Sequence, residues 1–196
     1  MKNIFLTYLI AYLAGSVNFA IIFFKLAGKA DPRLGFSGNA GTTNVYRQAG
    51  LFWAVIILLL DVGRALAVAA VALSWLPASF VCGAGFFLAF GNSFPCFHGW
   101  RGGKGVASYL GFTLLIAPWP ALLAALIWVA VYGICRIPFI ASFFMVFALA
   151  AGLASSFNFA IPAVISAAAT FLLIIFRHQK NIIQYRQSKG AITPRK

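Results

Sequence analysis

Long apolar runs alternate with short polar segments along the whole chain. A membrane-spanning helix needs about 20 apolar residues, and the first two runs exceed that length, whereas the fourth is short. The pattern predicts an all-α, polytopic membrane protein with about seven transmembrane helices, forming one integral membrane domain over residues 1–196. The runs cover 4–24, 51–75, 80–97, 106–117, 121–135, 137–153 and 160–176.

The composition is typical of a membrane protein with anionic partners. The chain is 63% hydrophobic and 9% charged, whereas a soluble domain carries about 25% charged residues. Only Asp31 and Asp61 are acidic, against 15 Lys and Arg residues. This balance favours anionic lipid head groups and anionic substrates. The cations are spread over several short loops, so nucleic acid is not an expected partner.

The cations also predict how the chain is oriented. Cytoplasmic loops of membrane proteins carry an excess of Lys and Arg. If the N-terminus lies outside and the C-terminus in the cytoplasm, every Lys and Arg except Lys2 and Arg64 falls on the cytoplasmic side. We therefore expect a protein of the cell (inner) membrane with the polar segments 31–47, 98–105 and 177–196 facing the cytoplasm.

The polar segment 31–47 has the composition of an anion-binding loop. It reads D-P-R-L-G-F-S-G-N-A-G-T-T-N-V-Y-R, and its three glycines permit close approach of the backbone to a ligand. Short hydroxyl and amide side chains with Arg47 suit a phosphate group. On composition alone, an ordinary loop rich in turn residues is an equally good interpretation.

Three smaller features carry further polar chemistry. The G-G-K-G run at 102–105 contains Lys104 and resembles a phosphate loop in mechanism, although it lacks the Walker spacing. A tight turn with a snorkelling lysine is the alternative. His178 and Asn181 have the i, i+3 spacing of one helical face. Asp61 and Arg64, also at i, i+3, are expected to form an internal ion pair or to position the site.

The shortage of acidic residues excludes several reaction types. The sequence has no Glu, so paired-carboxylate chemistry and metal sites are not expected. It also lacks the G-x-S-x-G motif of serine hydrolases. If the protein is an enzyme, it acts by positioning substrates and by stabilising anions electrostatically, without a cofactor.

Several segments together resemble one known family. G-S-V-N-F at 15–19 and the 31–47 segment form one signature, P-C-F-H-G-W-R-G-G-K-G at 95–105 a second, and R-H-Q-K-N-I at 177–182 a third. L-D-V-G-R at 60–64 and I-A-S at 140–142 also fit. These motifs resemble those of the bacterial acyl-phosphate:glycerol-3-phosphate acyltransferases. The S-G-N-x-G-x-T-N-x-x-R pattern is the most specific, and the resemblance spans nearly the whole chain.

The resemblance implies a function and a set of site residues. The family moves a fatty acyl chain from acyl phosphate to the sn-1 hydroxyl of glycerol 3-phosphate at the lipid bilayer, giving lysophosphatidate and phosphate for phospholipid biosynthesis. A phosphate oxygen of a substrate would accept the proton, with His178 as the second candidate. His178, Asn181 and Lys104 would be catalytic. The implied substrate-binding residues are Ser37, Asn39, Thr43, Asn44, Arg47, Arg101, Lys104, Ser142, His178 and Asn181.

The chain departs from the family pattern at three positions. The family usually has His at the position of Asn92, and commonly Arg and Glu at those of Gln184 and Ala191. A paralogue with an altered substrate or without activity therefore stays an alternative. A permease or exchanger for a phosphorylated anion, or a scaffold that binds anionic lipid, also fits basic loops beside an intramembrane Asp–Arg pair.

Overall fold

The computed structural model describes residues 2–190, and within this part of the chain all regular secondary structure is helical, with no strand. The all-α prediction is confirmed, while Ala191 lies outside the described residues. Short 3-10 turns cover Pro32–Leu34, Ala78–Phe80 and Cys96–His98. The α-helices are α1 Lys2–Ser16, α2 Phe19–Leu26, α3 Thr42–Ala49, α4 Leu51–Trp75, α5 Val81–Ser93, α6 Val106–Ile116, α7 Pro118–Cys135, α8 Pro138–Ser155, α9 Ile161–Arg177 and α10 Gln179–Gly190.

Every predicted apolar run contains a helix, but not every helix has the length of a membrane crossing. Within residues 2–190, five segments are long and apolar enough, and α9 becomes a sixth only together with α10, from which it is bent by 45°. Helix α6 has 11 residues and is about 16 Å long, roughly half of the hydrocarbon core. Of the seven predicted apolar runs, the fourth therefore forms a short helix, α6, which packs among α4, α5, α7 and α8.

Two glycines bring α1 and α5 into direct backbone contact. A Cβ atom on Gly91 would stand 2.1 Å from the carbonyl oxygen of Tyr12, and one on Gly15 would stand 2.2 Å from that of Leu88. Small residues at helix interfaces in membranes allow such approach. Gly15 and Gly91 are therefore positions where only glycine fits the helix contact.

The first apolar run is interrupted where it reaches the polar loops. Helix α1 ends at Ser16, and the side chain of Asn18 accepts a hydrogen bond from the Ile21 N–H, which starts α2. The amide nitrogen of Asn18 donates to the carbonyl oxygen of Ala40 at 3.1 Å. The break thus ties the first membrane segment to the 31–47 loop.

Two boundaries differ from the sequence prediction. We expected Pro118 and Pro120 to lie between two helices, but α7 begins at Pro118, because the first turn of a helix accommodates proline. The polar segment 31–47 also contains a helix, α3, which the glycine-rich composition did not predict. Gly50, with φ at 86°, separates α3 from α4.

Candidate active site

A cavity of about 560 Å³ opens between the polar loops and the helices α4, α6, α7 and α8. Loop residues and helix ends supply its polar lining, and the four helices supply an apolar lining that includes Leu58, Leu110, Ala125, Val129 and Met145. All but one of the predicted site residues lie on it. They are Ser37, Asn39, Thr43, Asn44, Arg47, Lys104, Ser142, His178 and Asn181.

Arg101 is the exception. Arg101 is exposed and does not line the cavity. Its backbone carbonyl accepts a hydrogen bond from Nη1 of Arg33 at 2.8 Å. Arg101 is therefore the one predicted substrate-binding residue that the structure does not place on the cavity. The loop turns between Arg101 and Lys104 so that only the lysine lies on the cavity.

The start of α3 forms part of the polar lining. Gly41, Thr42 and Thr43 line the cavity, and α3 begins at Thr42. The first N–H groups of a helix have no partner within the helix, and the helix dipole favours an anion there. Arg47, one turn further along α3, lines the same cavity. This arrangement suits a phosphate group.

Asn44 lies on the cavity, but its side chain is engaged by the loop itself. It is 2% exposed, and its amide nitrogen donates to the carbonyl oxygens of Pro32 at 2.7 Å, Asn39 at 2.8 Å and Gly35 at 3.3 Å. Its side-chain oxygen accepts from the Ser37 N–H at 3.5 Å. Because these contacts use both amide hydrogens, Asn44 shapes the loop and has no donor left for a ligand.

The G-G-K-G run is held against the end of α5 and places Lys104 in the cavity. The N–H of Gly103 donates to the carbonyl oxygen of Asn92 at 2.8 Å. A Cβ atom on Gly102 would stand 2.1 Å from that same oxygen, so only glycine fits. Nζ of Lys104 then donates to Oδ1 of Asn181 at 2.6 Å, which leaves two of its three N–H groups for a ligand.

The local charge makes Lys104 an unusually weak base for a lysine. Burial, followed by the positive charges of Arg47 and Arg177, lowers the pKa of Lys104 from its ordinary value to about 8. Arg47 and Lys104 line the cavity, and these two charges and that of Arg177 repel one another, so binding of an anion relieves the repulsion. The polar lining is therefore an anion site by charge as well as by geometry.

His178 joins α9 to α10 and is 2% exposed. Its Nδ1 lies 2.7 Å from the carbonyl oxygen of Ile174, and since a carbonyl can only accept, Nδ1 carries the proton and Nε2 is the acceptor. Burial and the charge of Lys104 lower the pKa of His178 to about 3. The imidazole is therefore neutral near pH 7 and is a weak proton acceptor.

Ser142 is oriented by a residue that the sequence did not indicate. Nε1 of Trp128 donates to Oγ of Ser142 at 3.2 Å, and this hydroxyl donates to the carbonyl oxygen of Pro138 at 2.9 Å. Trp128 stacks on Tyr132 with ring centroids 5.0 Å apart. The indole therefore connects the polar lining at Ser142 with the apolar lining of α7.

Asp61 and Arg64 form the predicted internal ion pair, with Nη2 of Arg64 2.9 Å from Oδ1 of Asp61. The same nitrogen donates to Oγ of Ser108 at 2.8 Å and to Oδ1 of Asn92 at 3.3 Å. Nη1 donates to the carbonyl oxygen of Val17, where α1 ends. Asp61, Asn92 and Ser108 all line the cavity, so this network forms part of its wall.

Arg33 and Asp31 join the two polar loops. Asp31 contacts the guanidinium of Arg33 at 2.6 Å, and Nη1 of Arg33 donates to the carbonyl oxygens of His98 at 2.6 Å and Arg101 at 2.8 Å. Arg33 is thus used to hold the second loop against the first, and it does not line the cavity.

Sequence reasoning missed several residues of the cavity. Asp61 was expected to form an ion pair or to position the site, and Arg136 had no predicted role in a site, yet both line the cavity. Two positions where the chain departs from the family pattern, Asn92 and Gln184, line it too. The one sequence signal that could have indicated these cavity residues was the charge of Asp61 and Arg136 in or beside apolar runs.

Comparison with known proteins gives one consistent result. The sequence profile of the family described as glycerol-3-phosphate acyltransferase matches residues 5–188. A protein named glycerol-3-phosphate acyltransferase from Jannaschia sp. (strain CCS1) is 40% identical over 179 residues, covering 90% of this chain and 86% of the relative. A protein of the same name from Paramagnetospirillum magneticum is 41% identical over 177 residues, covering 88% and 85%.

Two solved structures share the fold. The crystal structure of PlsY (YgiH), an integral membrane glycerol 3-phosphate acyltransferase, in its glycerol 3-phosphate form superposes with a TM-score of 0.87 at 29% identity, covering 94% of this chain and 92% of that chain. Its lysophosphatidic acid form gives a TM-score of 0.83 at 28% identity with the same coverage.

Proposed function

Because the chain belongs to the glycerol-3-phosphate acyltransferase family, we propose that it transfers a fatty acyl group from acyl phosphate to the sn-1 hydroxyl of glycerol 3-phosphate. The products are lysophosphatidate and inorganic phosphate. One observation carries the proposal: a single cavity combines an anion-binding polar lining with an apolar lining formed by membrane helices. Both substrates carry a phosphate, and only the donor carries a long apolar chain.

The polar lining receives the two phosphates. Arg47, Lys104 and the start of α3 supply positive charge and N–H groups, and Ser37 and Thr43 add hydroxyls. Bringing two anions together in water is opposed by their mutual repulsion, which these groups offset. Asn181 keeps the ammonium of Lys104 in place through its 2.6 Å hydrogen bond.

The apolar lining receives the acyl chain of the donor. Ala125 and Val129 on α7 are one helical turn apart, and they line the cavity together with Leu110 of α6 and Met145 of α8. Residues at i and i+4 share one face of a helix. Only 11% of α7 is buried within the protein, so a chain between α7 and α8 lies next to the surrounding lipid.

The chemistry needs no covalent intermediate with the protein. Acyl phosphate is an activated mixed anhydride, so the glycerol hydroxyl attacks its carbonyl carbon, the new ester bond forms and the bond to the phosphate oxygen breaks. The hydroxyl proton passes to a phosphate oxygen. His178 is the weaker candidate for this step because its pKa lies at about 3. Lys104 stabilises the charge on the departing phosphate.

The distribution of Lys and Arg along the chain supports a cytoplasmic location for this reaction. The cavity's polar lining comes from segments rich in Lys and Arg, which by the positive-inside rule face the cytoplasm. The active site therefore faces the cytoplasm from the cell (inner) membrane, with the N-terminus outside and the chain acting as one acyltransferase domain.

A transfer assay tests the proposal. Purified protein in detergent is given glycerol 3-phosphate with palmitoyl phosphate, and lysophosphatidate is measured, with palmitoyl-CoA as the control donor. We expect product with palmitoyl phosphate and none with palmitoyl-CoA. Product from palmitoyl-CoA at an equal rate would contradict the donor assignment, and no product from either donor would contradict the proposed function.

A further inference from the structure

One of the two carboxylates in the sequence lies on the cavity. Asp61 is 7% exposed and is a lining residue of the cavity, whereas Asp31 pairs with Arg33 outside it. Arg64 offsets the charge of Asp61 at 2.9 Å, so a site for phosphates tolerates it. The binding of phosphate by itself still gives no use for a carboxylate, which accepts hydrogen bonds and does not donate them.

Only one oxygen of this carboxylate is used by the protein. Within residues 2–190, Arg64 is the one hydrogen-bond donor to Asp61, and it reaches Oδ1 at 2.9 Å. A carboxylate has about four acceptor sites on its two oxygens. Oδ2 thus keeps its full capacity to accept hydrogen bonds from a ligand in the cavity.

The carboxylate is held in place from four helices. The guanidinium of Arg64, on α4, also donates to Asn92 on α5, to Ser108 on α6 and to the carbonyl oxygens of Gly15 and Val17 at the end of α1. Both terminal nitrogens of the guanidinium thus donate hydrogen bonds to these acceptors. Because any movement of Arg64 would break some of these bonds, Arg64 holds Asp61 in place at the cavity wall.

A fixed carboxylate distinguishes the two ends of a glycerol phosphate. It repels the phosphate end and accepts a strong, charge-assisted hydrogen bond from a hydroxyl. Two positive groups of the cavity, Arg47 and Lys104, lie on α3 and on the second loop, whereas Asp61 lies on α4; these cations attract the phosphate. The two kinds of charge together orient the acceptor along one direction.

We propose that Asp61 binds the secondary hydroxyl of the acceptor and so selects a glycerol phosphate over a phosphorylated alcohol without that hydroxyl. This inference rests on the proposed function. The reacting hydroxyl must lie beside the phosphate of the donor, where a carboxylate would repel that phosphate, so the hydroxyl that does not react is the one bound.

Binding of two acceptors to the protein, measured without any donor, tests the proposal. Isothermal titration compares glycerol 3-phosphate with 3-hydroxypropyl phosphate, which lacks only the secondary hydroxyl, in the wild type and in Asp61→Asn. We expect the wild type to prefer glycerol 3-phosphate by about tenfold or more, which is typical of a hydrogen bond to a charged group. In Asp61→Asn this preference should fall to about twofold, while inorganic phosphate binds at least as tightly as before.

Two controls separate selectivity from folding. Asp31→Asn removes the other carboxylate and should leave the preference between the two acceptors unchanged. If Asp61→Asn does not fold, the double variant with Arg64→Gln, which neutralises both partners, takes its place. A wild type without preference, a preference that survives in the variant, or an equal loss of both acceptors and inorganic phosphate would each overturn the proposal.

The same experiment distinguishes this inference from the proposed function. Acyl transfer from palmitoyl phosphate is measured on the same protein samples. If the wild type prefers glycerol 3-phosphate in binding but forms no lysophosphatidate, the proposed function fails and the role of Asp61 stands. If transfer occurs without any preference between the acceptors, the proposed function stands and the role of Asp61 fails.

Discussion

The ammonium group of Lys104 donates a 2.6 Å hydrogen bond to the side-chain oxygen of Asn181, which lies 77 positions further along the chain. This contact joins the loop before α6 to the first turn of α10 and places both residues on the same cavity. The ammonium is thus oriented before any ligand arrives, which is the arrangement that electrostatic stabilisation requires.

Replacing Lys104 by Met should remove most of the activity. The variant keeps the length of the side chain and loses its charge, so we expect kcat/KM for glycerol 3-phosphate to fall by about 100-fold or more. Lysophosphatidate formation from palmitoyl phosphate is the measurement. Lys180→Ala, at an exposed lysine beside Asn181, is the matched control and should retain wild-type activity. Activity of Lys104→Met within twofold of the control would contradict the phosphate-binding role.

The activity should decline above about pH 8. Because burial and the charges of Arg47 and Arg177 lower the pKa of Lys104 to about 8, its ammonium loses a proton as the pH rises through that value. The pH dependence of kcat/KM reports groups of the free enzyme, so its alkaline limb should have an apparent pKa near 8. Arg177→Gln removes one repelling charge and should move this limb to higher pH. An unchanged limb in Lys104→Met would show that another group titrates.

Arg33 should contribute to stability more than Asp31 does. Arg33→Gln loses charged hydrogen bonds to the carbonyl oxygens of His98 and Arg101, and we expect the free energy of unfolding to fall by about 2 kcal/mol. Asp31→Asn keeps both carbonyl contacts and should cost less. Thermal unfolding in detergent measures both variants. A larger loss in Asp31→Asn than in Arg33→Gln is the result that this account does not allow.

The backbone contact between α1 and α5 should not tolerate a methyl group. A Cβ atom on Gly91 would stand 2.1 Å from the carbonyl oxygen of Tyr12, so Gly91→Ala should destabilise the protein by about 1–3 kcal/mol. At Gly133 on α7, no atom lies within 4 Å of the added Cβ. Gly133→Ala should be neutral or slightly stabilising, because Ala favours a helix. Equal thermal stability of the two variants would contradict the close approach.

The positions of the helices followed from local pattern. Apolar runs bounded by polar residues, glycine and proline predicted every membrane helix within a few residues, because burial in lipid depends on hydropathy along one segment. The i, i+3 spacing predicted the pairing of Asp61 with Arg64, since residues three apart are neighbours on a helix. The motif resemblance identified nine residues that line the cavity.

The tertiary structure decided how each polar group is used. Asn44 and Arg33 belong to the same polar segment as Arg47, but their hydrogen bonds hold the loops together, while Arg47 lies on the cavity. Trp128 lines the cavity although nothing in its local sequence indicates it, and the charges of Asp61 and Arg136 beside apolar runs did not show which space they would line. A cavity is built from segments far apart in the chain, and which side chains remain free for a ligand depends on contacts across those segments. For this reason the sequence by itself determined the helices and the candidate residues, whereas only the packing of α3, α4, α6, α7, α8 and α10 around one space decided which of them make up the site.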